Sequence, residues 1–245
     1  MQSSAPEHQP AESDFYRVNR GGGLYSEAVS QRLGAKLALF GYRKKLAPTT
    51  LTIFNLGISA VVSALVIVTA GPVAAGEVPG VVIGLIALAG WQLAYAFDCA
   101  DGQLARVTGQ TSTDGARVDI LCDVAGQIAL VGALSAVAVA QEPETPAWLI
   151  ALFAGGWMVN LITSVLATGP QAVSMLKSNT WPIRVVKLAR DYGAIIAVAA
   201  VVLTVAPIAM VWFIGIFTLV NGAFLLTSIA FSARNALRAH DLPRS

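Results

Sequence analysis

Charge is scarce in this chain. Asp, Glu, Lys and Arg make up 12% of its 245 residues, and 56% are hydrophobic. A soluble domain carries about 25% charged residues, so the composition excludes an ordinary soluble fold and points to an integral membrane protein. Cysteine and histidine are scarcer still, with two of each. That is too few for a Cys/His zinc site. His8 and His240 lie in polar tails. Cys99 and Cys122 flank a cluster of acids, and on the cytosolic side they are read as packing residues rather than a disulfide. The first 48 residues lack a long apolar run, so no cleavable signal peptide is expected.

Basic residues are missing from the long apolar stretches, apart from Arg117 at the very start of the third. Six such stretches fall at about 49–71, 80–97, 116–140, 147–168, 191–206 and 208–232. A span must cross roughly 30 Å of hydrocarbon, and the fifth stretch, ending at Pro207, is the shortest. The fold class expected is an all-α integral membrane protein of six transmembrane helices with an N-terminal amphipathic interfacial helix. All sixteen Lys and Arg fall in four polar segments: the N-terminal segment, 98–118, 169–190 and the C-terminal tail. The connections 72–79 and 141–146 hold none. A six-span plan puts every basic residue on one side, which the positive-inside rule makes the cytoplasm. Both termini are then cytoplasmic, and the expected location is the bacterial inner membrane.

Four units follow. Residues 1–25 form a flexible N-terminus, since 1–14 are rich in Pro, Ser, Gln and Glu. Residues 26–46 form the interfacial helix. There Val29, Leu33, Leu37 and Phe40 make an apolar stripe, and Arg32, Lys36, Arg43, Lys44 and Lys45 are placed to meet anionic headgroups. Residues 47–233 form the six-helix transmembrane domain, and 234–245 the cytoplasmic tail.

Against this background one run stands apart. From Asp98 to Asp123 the chain reads DCADGQLARVTGQTSTDGARVDILCD, with five of the fourteen acids. Asp98 and Asp101 are three apart and Asp119 and Asp123 four apart, so each pair shares a helix face. If the second span continues as helix, Asp98, Asp101, Gly102 and Ala105 lie on one stripe. A polar loop over 107–114 then leads to a third span starting at Gly115, and the two antiparallel helices bring four carboxylates together. An Asp at a helix centre in the membrane costs about 2.5–3.5 kcal/mol on insertion scales, less at the interface. Arg106 and Arg117 can offset part of this, and divalent cations can offset all of it. An all-oxygen ligand set favours Mg²⁺ or Mn²⁺ over zinc.

Written as a pattern, the run is D-x2-D-G-x2-A-R-x8-G-x3-D-x3-D. It resembles the signature of the CDP-alcohol phosphotransferase family at every fixed position. More weakly, Pro48-Thr49-Thr50-Leu51-Thr52 is similar to a P-N-x-x-T stretch of that family, with Thr49 in place of Asn. The resemblance implies transfer of a substituted phosphate, such as phosphatidyl, from a CDP-linked donor such as CDP-diacylglycerol to an alcohol acceptor. CMP is released, in phospholipid biosynthesis. It implies that Asp98, Asp101, Asp119 and Asp123 bind two metal ions and that Asp123 is the general base. It also implies that Asp101, Gly102, Ala105, Arg106 and Gly115 bind the nucleotide, and that the protein is a homodimer among membrane lipids, with no nucleic acid partner.

The acceptor is less legible. Lys177, Arg184, Lys187 and Arg190 precede the fifth span. They read either as a pocket for a phosphorylated acceptor, inositol phosphate or glycerol phosphate, or as a positive-inside anchor. A rival for the whole chain is a membrane transporter or cation-binding protein using intramembrane aspartates. Carboxylates at one end of two helices, beside Arg and small residues, suit it less than a nucleotide site.

Overall fold

The computed structural model describes residues 9–19, 23–166 and 191–240. Among these residues all regular structure is helical: α1 (Glu12–Arg17), α2 (Gln31–Arg43), α3 (Pro48–Ala74), α4 (Gly80–Thr108), α5 (Thr113–Gln141), α6 (Ala147–Leu166), α7 (Tyr192–Val205) and α8 (Met210–His240). A π-helical turn, Ser26–Ser30, leads into α2, and a 3₁₀ turn, Pro207–Ala209, leads into α8.

Four stretches are long and apolar enough to cross a membrane: α3, α4, α5 and Pro207–Ala230. Two more apolar helices, over Ala147–Val159 and Tyr192–Val205, are shorter. Apolar side chains also cover the outside of the bundle, among them Val61, Val68, Leu121, Leu219 and Leu226. Helices apolar on all sides belong in a membrane, and the protein is an integral membrane protein. Each of the six expected stretches has its helix, and among the described residues four of them are long and apolar enough to span. The shortness of α7 has a local cause: Asp191 caps its start, and at its end Pro207 lacks a donor and Ala206 before it leaves the helical region (φ −154°, ψ 69°).

The site depends on how α3, α4 and α5 meet. α3 packs along both α4 and α5. Pro48 opens α3 at a position where its missing N–H costs nothing. α4 and α5 are joined by a tight turn over 109–112, shorter than the 107–114 loop expected from sequence, and each packs chiefly along α3 rather than along the other. Gly109 (φ +70°) takes the left-handed conformation that closes α4. Ser112 caps α5, its Oγ accepting from the Gly115 amide at 3.0 Å. The main core, with Trp91, Leu134, Phe153, Trp157 and Leu203, fills the centre of the bundle.

A second cluster lies where α2 crosses α4: Phe15, Ala35, Ala38, Leu51, Ala100 and Leu104. The face of α2 turned to α4 is built from Gln31, Gly34, Ala35, Ala38 and Gly41, all buried. On the opposite side Leu33 and Phe40 stay 41% and 50% exposed beside the exposed Arg32, Lys36 and Arg43. Of the apolar stripe expected from sequence, Leu33 and Phe40 are left exposed, whereas Leu37 packs against the α2–α4 cluster and Val29 is half-buried.

One expectation is corrected here. Residues 12–17, placed in a flexible terminus, form α1, because Phe15 inserts fully into the α2–α4 cluster. Gly80 and Gly84, a small-residue pair on α4, pack within the chain: a Cβ at Gly84 would run into Thr204 of α7. Asn221 of α8 donates to the Phe217 carbonyl of its own helix at 2.9 Å.

Candidate active site

α4 and α5 carry the four aspartates to one end of the bundle. One carboxylate oxygen each from Asp98, Asp119 and Asp123 lie within 4.8 Å of one another. Asp101, one turn along α4 from Asp98, is buried at 6% exposure and accepts a hydrogen bond from Thr52 Oγ1 at 2.6 Å. The Asp98 carboxylate accepts from Asn55 Nδ2 at 3.3 Å. Thr52 and Asn55 belong to α3, so three helices rather than two build the cluster.

The donor set suits a divalent cation. Three carboxylates, with no Lys paired to them among the described residues, leave a large negative charge, and oxygen-only ligation is the chemistry of Mg²⁺ and Mn²⁺. Asp119 Oδ1 is buried and has no hydrogen-bond partner among the described residues. Such an atom costs about 1–3 kcal/mol unless a ligand satisfies it.

Beside the trio lies a cavity of about 290 Å³. Asp101, Gly102, Ala105, Arg106 and Gly115, the five positions expected to hold a nucleotide, all line it, together with Asp119. Pro48, Thr49 and Thr52 of α3 close its far wall. The absence of side chains at Gly102 and Gly115 has a local meaning. A Cβ on Gly102 would come within 2.9 Å of Arg106 Nη1, so the guanidinium lies over that glycine. Gly115 faces the capping Ser112 hydroxyl, 2.9 Å from where its Cβ would be. Arg106 also acts electrostatically on Asp119. Arg117 does not join it. It pairs with Asp114 at 3.7 Å, both side chains well exposed, and a surface pair of this kind contributes little. The expectation that both arginines offset the cluster is corrected accordingly.

Opposite the large cavity, on the Asp98 and Asp123 side, is a small one of about 20 Å³ lined by Asn55, Ser59, Tyr95, Gln127 and Tyr192 among others. That is room for about one water. Gln127 is held there by the Trp157 indole, which donates to Oε1 at 2.8 Å.

A further polar knot lies next to it. Asp191, buried at the head of α7, accepts from the Ser26 amide at 2.9 Å and the Ser26 hydroxyl at 2.5 Å. The Ser26 hydroxyl also meets the Tyr95 hydroxyl at 3.1 Å. Burial, reinforced by the Asp191 charge, pushes the Tyr25 phenol above its usual range, so it stays neutral. Lys177, Arg184, Lys187 and Arg190, the acceptor candidates, lie outside the described residues.

Sequence reasoning missed Asn55, Ser59, Tyr95, Gln127, Asp191 and Tyr192. One signal was available. Thr52, Asn55, Ser59 and Ser63 follow i, i+3, i+7, i+11 spacing, a polar stripe on one face of an otherwise apolar helix.

No curated protein matches the chain. The family model described as CDP-alcohol phosphatidyltransferase matches residues 45–233, which take in all six apolar stretches and every aspartate of the cluster. Proteins of that family are transferases acting on CDP-alcohols and are generally dependent on divalent metals. By this match, and by the site it encloses, the chain belongs to the CDP-alcohol phosphatidyltransferase family.

Proposed function

We propose that this protein transfers a phosphatidyl group from CDP-diacylglycerol to an alcohol, releasing CMP, as a step of phospholipid synthesis. The observation that carries the reading is the shared cavity: five nucleotide positions and Asp119 line one space beside a trio of carboxylates. At about 290 Å³ it matches the lower end of small-ligand sites, about 300–1,000 Å³.

In this reading Asp98, Asp101, Asp119 and Asp123 hold two Mg²⁺ or Mn²⁺ ions. Bound ions supply charge neutralisation for the diphosphate and the leaving CMP. The chain supplies position and a base. Gly102, Ala105 and Gly115 let the nucleotide approach two helix backbones closely, and Arg106 offers its guanidinium to the phosphates. Asp123 takes the proton of the acceptor hydroxyl. The acceptor oxygen then forms the new P–O bond, the diphosphate P–O bond breaks, and CMP departs with the electron pair. The lipid tails of the donor remain among the apolar helix faces while its diphosphate reaches the end of the bundle.

The wider setting is part of the same proposal. The apolar helices span the membrane six times, α2 lies at its surface, and both termini and the site face the cytoplasm of a bacterial cell. The protein works as a homodimer. Lys177, Arg184, Lys187 and Arg190 receive the acceptor's phosphate, inositol phosphate or glycerol phosphate being the candidates.

The test is CMP release by the purified protein from CDP-diacylglycerol, with Mg²⁺ or Mn²⁺ and a panel of acceptors: serine, glycerol phosphate, inositol phosphate, inositol and phosphatidylglycerol. Metal-dependent CMP and a new lipid with one acceptor support the reading. Metal binding with no CMP from any of them favours the cation-binding alternative.

A further inference from the structure

The stripe on α3 descends from the site into the bundle, and each member has a partner on another helix. Ser63 accepts from the Trp91 indole at 3.1 Å, and Ser59 donates weakly to the Gly126 carbonyl at 3.5 Å. These two satisfy structural groups. Thr52 and Asn55, nearer the end of the bundle, donate to carboxylates instead.

Asn55 differs from Thr52 in what it joins. Its amide donates to Asp98 on α4 at 3.3 Å, and it lines the same small cavity as Asp98 and Asp123 of α5. An asparagine nitrogen carries two hydrogens, so one amide can serve two carboxylates at once. It is neutral, so it fixes carboxylate orientation without cancelling the charge a cation needs. A Lys or Arg at this position would compete with the cation; an Asp would add to the repulsion. Asn55 is buried at 8% exposure and lines the small cavity, not the nucleotide cavity, so it stands behind the carboxylates as seen from the donor.

We propose that Asn55 is a positioning residue that aims the Asp98 and Asp123 carboxylates, from two different helices, at a shared divalent cation. The proposal rests on the metal reading of the site. Groups behind metal ligands fix ligand orientation, and their loss typically costs about 10–100-fold in metal affinity or activity.

The experiment is titration of the full-length protein with Mn²⁺ alone, free Mn²⁺ being followed by electron paramagnetic resonance. Asn55→Leu keeps the volume and removes both donors, and Asn55→Ala is the second variant should Leu not fold. Ser63→Ala, on the same face and bonded only to Trp91, is the control. The expected result is at least a tenfold rise in the Mn²⁺ dissociation constant for the Asn55 variant. The Ser63 control should keep wild-type affinity. The Mn²⁺-induced rise in melting temperature should shrink in parallel for Asn55 alone. Wild-type Mn²⁺ affinity in the Asn55 variant, or an equal loss in Ser63→Ala, overturns the proposal. Failure of the wild-type protein to bind Mn²⁺ overturns the metal reading and the proposal together.

Discussion

Replacing Thr52 by Val removes one hydrogen atom's worth of chemistry at nearly constant shape. The Thr52 hydroxyl donates to Asp101 at 2.6 Å, and Asp101 is 6% exposed. A hydrogen bond to a charged group contributes about 1.5–3 kcal/mol. The upper end does not apply, because Asp101 borders the cavity of about 290 Å³ and water can enter to replace the hydroxyl. That leaves about 1.5 kcal/mol, equivalent to about tenfold in rate. The assay is CMP release at fixed metal and varied CDP-diacylglycerol. Thr52→Val should lower kcat/KM for the donor by roughly tenfold. Thr52→Ser keeps the hydroxyl and should recover most of it. A Val variant within twofold of wild type, or a Ser variant as impaired as Val, refutes the reasoning and reduces Thr52 to a packing residue.

Asp123→Asn should retain nucleotide binding, measured with CMP, and lose turnover by at least a hundredfold, the usual range for a general base being about 10²–10⁴. Gly102→Val would push a branched side chain against the Arg106 guanidinium and into the nucleotide cavity; donor KM should rise more than tenfold while Mn²⁺ binding persists. Arg117→Ala removes only an exposed pair with Asp114 and should change melting temperature and kcat/KM very little. Phe15→Ala should destabilise the protein by about 3 kcal/mol, as a fully buried aromatic lost from a packed cluster, read as a lower melting temperature in detergent.

What could be read from the sequence was local. Asp98, Asp101, Gly102 and Ala105 declare their shared face by spacing alone, and the single tight turn to α5 leaves little choice about which helix comes next. The third wall of the site was not local. Asn55 lies 43 residues from Asp98, and helical periodicity shows that α3 has a polar face without saying what it meets. Arg117 was misread for the opposite reason: Asp114, one turn before it, offers a closer partner than the cluster does. Phe15 was hidden by its neighbours, one of two adjacent aromatics in a polar segment whose target, the small-residue face of α2, is supplied by distant sequence. Span counting fared differently. Hydropathy located six apolar helices, but the length of α7 was decided by its capping Asp191 and by Pro207, which composition averages away.

The crossing of α2 over α4 leaves no clearance. A methyl group at Gly34 would sit 2.8 Å from the Cys99 Cβ and 3.1 Å from the Ala96 carbonyl oxygen. α2 can therefore neither slide nor roll without carrying α4 along, and Asp98 is the residue next to the point of contact. A helix resting on a membrane surface rises and sinks with that surface. With α2 at the surface, as proposed above, such a motion would pass through bare backbone to the helix that carries Asp98, as a float moves a needle.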